Sequence, residues 1–104
     1  KKGSMKTIEL KTVPLNLHGV DTEFSYAEFI EILMQSPEKP TEGANIAEIR
    51  NSMRVLDALE AAEKELVLED ADFEYLLRRV NSARFTASNK VFVDFVDYFL
   101  ELSK

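Results

Sequence analysis

The chain has 104 residues, 45% apolar and 31% charged, with 13 Lys and Arg against 19 Asp and Glu and a formal net charge of −6. That length allows one domain with a real core, and the apolar and aromatic content is too high for a disordered chain. Zero Cys excludes disulfide scaffolds, thiolate catalysis and Cys-ligated zinc, and apolar runs of only three or four residues exclude a membrane span or a secretory leader core.

Residues 1–4, Lys-Lys-Gly-Ser, read as a cloning remnant ahead of an initiator Met5, with residues 5–104 as one compact domain. Setting Lys1 and Lys2 aside leaves 11 cations against 19 anions, a charge of −8. Such acidity repels nucleic acid and anionic membranes.

Residues 6–13 alternate polar and apolar, with Ile8 and Leu10 on one side, which predicts a half-buried strand stopped at Pro14. Residues 15–19 turn the chain, and residues 20–24 return as a second strand in a hairpin. Ser25-Tyr26-Ala27-Glu28 is a capping box. It opens a helix whose inner face is Phe29, Ile30, Leu33 and Met34, closed by Ser36-Pro37. Residues 37–43, with two prolines and a glycine, form a surface loop.

Asn45 caps the longest helix, roughly 45–64, with Ile46, Ile49, Met53, Leu56, Leu59 and Ala62 as its apolar stripe and Glu60 and Lys64 as a surface pair. Leu66-Val67-Leu68 is a short strand that pairs with the N-terminal one. Glu69, Asp70 and Asp72 start the next helix, where carboxylates complement the dipole. Its inner face is Phe73, Leu76, Leu77 and Val80, and Arg78 and Arg79 sit at its end. Thr86, Ser88 and Asn89 are candidate caps for a last helix, about 89–102. There Phe92, Phe95, Val96 and Phe99 make one stripe. Val93, Tyr98 and Leu100 fall outside it, and Asp94, Asp97 and Glu101 form a polar strip. The β-branched content of residues 90–96 also fits a strand, but the three-then-four spacing of the acidic residues favours helix. The sum is an α+β fold, mostly helical: four helices with a two- or three-stranded sheet.

The chemistry-bearing residues are few. His18, the sole histidine, precedes Gly19 in a turn, and no Ser or Asp constellation is tied to it by spacing. The run of carboxylates from Glu69 to Glu74 fails the calcium-loop pattern, because the sixth position from Asp70 is Tyr75 instead of glycine. Helix capping explains it better. Arg78, Arg79, Arg84 and Lys90 make the one basic patch, best read as partners of nearby carboxylates. No catalytic, metal-binding or cofactor motif emerges.

Two surfaces remain. Asp57, Glu60, Glu63 and Glu65, with Asp94, Asp97 and Glu101, are expected to line an acidic face able to imitate nucleic-acid phosphates, though a solvated helix face is the simpler account. The aromatic last helix is hard to bury on all sides in a small domain. Phe92, Phe95, Val96, Tyr98, Phe99 and Leu100 are therefore expected to form core and contact surface together.

The chain resembles a group of small proteins of tailed bacteriophages and prophages. The likeness rests on the N-terminal strand from Met5 with its Gly19 turn leading into Phe24-Ser25-Tyr26-Ala27-Glu28-Phe29, on residues 54–60, and on residues 66–76. It implies expression in the cytoplasm of a bacterial host and a binding or assembly role, and it brings no catalytic residues. The expectation is a non-enzymatic protein-interaction module, a homodimer through its last helix, with no cofactor, direct nucleic acid or membrane. The alternative is an acidic inhibitor seated in the nucleic-acid site of a host or defence protein. An enzyme built on His18 and a carboxylate ranks last.

Overall fold

Residues 5–25 divide into three strands instead of two, because Leu10 and Lys11 interrupt the first predicted strand between Glu9 and Thr12. In order, the elements are β1 (Met5–Glu9), β2 (Thr12–Leu17), β3 (Val20–Ser25), α1 (Tyr26–Gln35), α2 (Ile46–Ala61), β4 (Glu65–Glu69), α3 (Asp70–Asn81) and α4 (Lys90–Leu102). The computed structural model describes residues 5–85 and 88–104, so residues 1–4 and the candidate cap Thr86 lie outside the described part. The fold is α+β with four helices, as expected. Its strands form two separate antiparallel pairs, β1 with β4 and β2 with β3.

Period-two alternation explains both pairs. In the first, Ile8 lies opposite Leu66 and Lys6 opposite Leu68, which joins the N-terminal strand to the Leu66-Val67-Leu68 run. The linking residues Leu10 and Lys11 keep their backbones satisfied: Leu10 N donates to Lys64 O at 2.9 Å, and Lys11 O accepts from Tyr26 N at 3.0 Å.

Pro14 does not end a strand. It lies within β2 opposite Glu23, while Leu17 pairs with Val20 across the turn. Counting back from a two-residue loop, alternate pairs are hydrogen bonded, and Pro14 falls on a non-bonded one. Its missing N–H therefore costs no ladder bond. The turn itself is His18-Gly19, with φ of 54° and 82°, the double positive φ of a type I′ hairpin. Asn16 braces it, accepting from Gly19 N at 3.2 Å and donating to Asp21 at 2.8 Å. The space around Gly19 is open, so only backbone strain opposes a side chain there. Gly19→Val is expected to cost about 1–2 kcal/mol, read as a lower urea midpoint, while His18→Asn leaves it unchanged.

The helix starts follow their caps. Ser25 Oγ accepts from Glu28 N at 3.2 Å, Asn45 Oδ1 from Glu48 N at 2.8 Å, and Asn89 Oδ1 from Val91 N at 2.9 Å. α1 buries Tyr26, Ile30 and Met34, α3 buries Phe73, Leu76 and Val80, and α4 buries Phe95 and Phe99. With Ile8, Leu66 and Leu68 from the first strand pair and Leu15 and Phe24 from the second, these form one core.

α2 departs from expectation. It ends at Ala61, so Lys64 lies beyond the helix, and the expected Glu60–Lys64 pair is not formed among the described residues. Its buried face is Ser52 and Val55, whereas Ile46, Ile49 and Met53 are 61%, 42% and 47% exposed. At 100° per residue the two arcs lie roughly a third of a turn apart. Half the predicted stripe thus faces out, because Ser52 is held inward by a 2.8 Å hydrogen bond with the Tyr75 hydroxyl of α3.

Candidate interaction surface

α4 was expected to serve as core and contact surface, and it divides. Phe95 and Phe99 are completely buried and unable to reach a second chain in this fold, which corrects their place in the expected interface. Packing accounts for it. Phe95 meets Tyr26 edge-on at 4.7 Å, Phe24 at 5.3 Å and Phe99 at 5.0 Å, and Phe99 stacks on Phe73 at 6.1 Å. Phe92 and Val96 are half-buried against the same core. Tyr98 is tied inward, its hydroxyl accepting from Glu9 N at 2.8 Å. Only Leu100, and Val93 outside the predicted set, stand exposed. A small domain does bury an aromatic helix here, since Phe24, Tyr26 and Phe29 converge on it from β3 and α1.

Tyr26 has a titration consequence. Burial, then the nearby Asp94 carboxylate, Tyr98 and Glu9, hold its hydroxyl above the ordinary tyrosine range. The folded state therefore favours neutral Tyr26. Its contribution is complete below about pH 10 and is lost as pH rises, because the unfolded chain deprotonates first. Tyr26→Phe is expected to unfold at higher pH than the natural chain in an alkaline titration followed by circular dichroism.

Three of the four cations of the basic patch have carboxylate neighbours. Arg78 pairs with Glu38, and Lys90 with Asp94 at 3.2 Å. Arg79, 3% exposed, donates to Tyr75 Oη at 2.8 Å, Leu33 O at 3.0 Å and Ser36 O at 2.8 Å, closing the end of α1. Glu48 Oε2 lies 3.9 Å from it. Arg84 is exposed. His18 is exposed in its turn, and no metal-holding group of His, Asp or Glu occurs among the described residues.

The expected acidic face also divides. Asp94, Asp97 and Glu101 lie exposed along α4. Asp57 and Glu60 instead line a groove of about 400 Å³ between α1 and α2, with Glu28, Glu31 and Glu63. Its floor includes Met53, Leu56 and Leu59. A second hollow shares Gln35, Met53 and Leu56 and continues to Ile49 and Pro37. The first hollow sets the start of α1 beside the end of α2 and the second sets the end of α1 beside the earlier turns of α2, so together they follow α2 from Ile49 to Ala62.

Periodicity alone assigned this stripe to the core. The available signal was Val55, which with Leu59 and Ala62 of that stripe makes an arc separate from Ile46, Ile49 and Met53, since a surface helix buries only one. No family model, curated protein or solved structure matches the chain. No described helix is long and apolar enough to cross a membrane.

Proposed function

We propose that this protein is a non-enzymatic protein-interaction module of phage origin, acting in the cytoplasm of a bacterial host, and that the α1–α2 groove is where its partner docks. One observation carries the reading: Ile46, Ile49 and Met53 expose a row of large apolar side chains along the helix bordering the groove. A contiguous apolar surface of this kind marks contact sites more often than scattered exposed residues do. The phage and host setting rests on the resemblance of the three stretches quoted above.

The homodimer expected through α4 loses its anchors, because Phe95 and Phe99 are internal and the exposed apolar residues on that helix are Val93 and Leu100. The alternative of a nucleic-acid mimic keeps the α1–α2 carboxylates, but an apolar floor beneath them suits a polypeptide better than a site shaped for phosphates.

The test is capture from a bacterial lysate with three baits: the natural chain, Ile49→Asp/Met53→Asp and Val93→Asp/Leu100→Asp. Thermal melts check that the variants stay folded, and light scattering measures self-association. A protein kept by the natural chain and the α4 variant but lost from the groove variant supports the reading. Loss confined to the α4 variant, or dissociation of a dimer by it, returns the interface to α4.

A further inference from the structure

Five carboxylates surround the groove: Glu28 and Glu31 from α1, and Asp57, Glu60 and Glu63 from α2 and its C-terminal extension. Its lining includes no Lys or Arg, and none of the five joins an ion pair among the described residues. Glu38, Glu48, Asp72, Asp94 and Glu101 each have a cationic neighbour instead. These five uncompensated carboxylates thus gather around an apolar floor, where they create a focused negative potential.

We infer that the groove receives a cationic amphipathic helix from another polypeptide, an inference that deepens the interaction-module reading and rests on it. The apolar face of that helix covers Met53, Leu56 and Leu59, and its Lys or Arg side chains meet the two acidic rims. The floor runs along α2 from Ile49 to Ala62, about 20 Å at 1.5 Å per residue, matching a helix of about 13 residues. An extended segment has no edge to pair with: the lining residues are helical or flank α2, apart from Leu10, whose N–H is already bonded to Lys64 O at 2.9 Å. A second copy of this chain pairing through the same face sets acidic rim against acidic rim, which is strongly unfavourable. Nucleic acid is repelled for the same reason.

The test uses synthetic peptides of about 14 residues, read by fluorescence anisotropy against the whole chain. The first is a Leu/Lys peptide with leucines at helical spacing. The second has the same composition in scrambled order, and the third replaces Lys by Glu. The Leu/Lys helix is expected to bind at least about tenfold tighter than either control. Asp57→Lys/Glu60→Lys is expected to weaken it at least about tenfold, and Asp94→Lys/Asp97→Lys less than about threefold. Equal binding of the scrambled peptide, equal sensitivity to the α4 reversal, or indifference to the groove reversal overturns the inference. If that happens while Ile49→Asp/Met53→Asp still releases a captured protein, the groove stands as an interface and only the cationic helix is refuted.

Discussion

Replacing Phe99 by alanine is expected to lower the free energy of unfolding by about 3–5 kcal/mol. The ring is completely buried, stacked on Phe73 at 6.1 Å and edge-on to Phe95 at 5.0 Å. Removing it deletes apolar contacts shared by α3 and α4 and leaves a cavity that flanking aromatics cannot fill without leaving their rotamers. Domains of this size hold about 5–15 kcal/mol in total, so the loss is a large share. Urea denaturation supplies the number. Leu100→Ala, at an exposed position of the same helix, is expected to cost less than about 1 kcal/mol. Equal and small losses at both positions, independent of protein concentration, mean that α4 is not packed as described.

Arg79→Met is expected to cost about 3 kcal/mol, since hydrogen bonds from charged donors contribute more than neutral ones. Buried ions often yield to apolar residues without loss when their whole network is replaced. Here the acceptors stay behind: Leu33 O and Ser36 O belong to the backbone at the end of α1, and the Tyr75 hydroxyl also meets Ser52. Arg79→Lys is expected to recover less than half, because one ammonium does not span acceptors on two helices as a planar guanidinium does. Urea unfolding checks both variants. A stability change below about 0.5 kcal/mol for Arg79→Met contradicts the assigned role.

The helices were legible because local rules and tertiary packing agree on them. Ser25, Asn45 and Asn89 are caps in sequence and in structure, and Phe73, Leu76 and Val80 point inward as their spacing demands. The strand at Leu66-Val67-Leu68 was legible because the apolar run is too short for a helix. What was not legible depended on partners distant in sequence. Pro14 reads as a stop until the hairpin register puts it on a non-bonded pair. Arg79 reads as a surface cation until α1 presents its terminal carbonyls, and Met53 reads as core until Ser52 is claimed by Tyr75. The site suffered most, because a groove belongs to two helices and periodicity describes one at a time. The aromatic α4 misled for the opposite reason: its own sequence does not reveal that β3 and α1 bring enough rings to cover it.

The central claim is that α2 turns Val55 inward and its Ile49–Met53 row out to solvent as a docking face. A chain without cysteine makes this directly measurable, since each introduced thiol is the sole reactive one. Met53→Cys and Val55→Cys lie two residues apart on one helix, the first position 47% exposed and the second 0%. Under native conditions with excess thiol reagent, the thiol at position 53 is predicted to react at nearly the rate of a free peptide. The thiol at position 55 is predicted to react only through unfolding, at least about a thousandfold more slowly. Equal rates at the two positions, or protection of 53 with exposure of 55, contradict this orientation of α2 and the groove built on it.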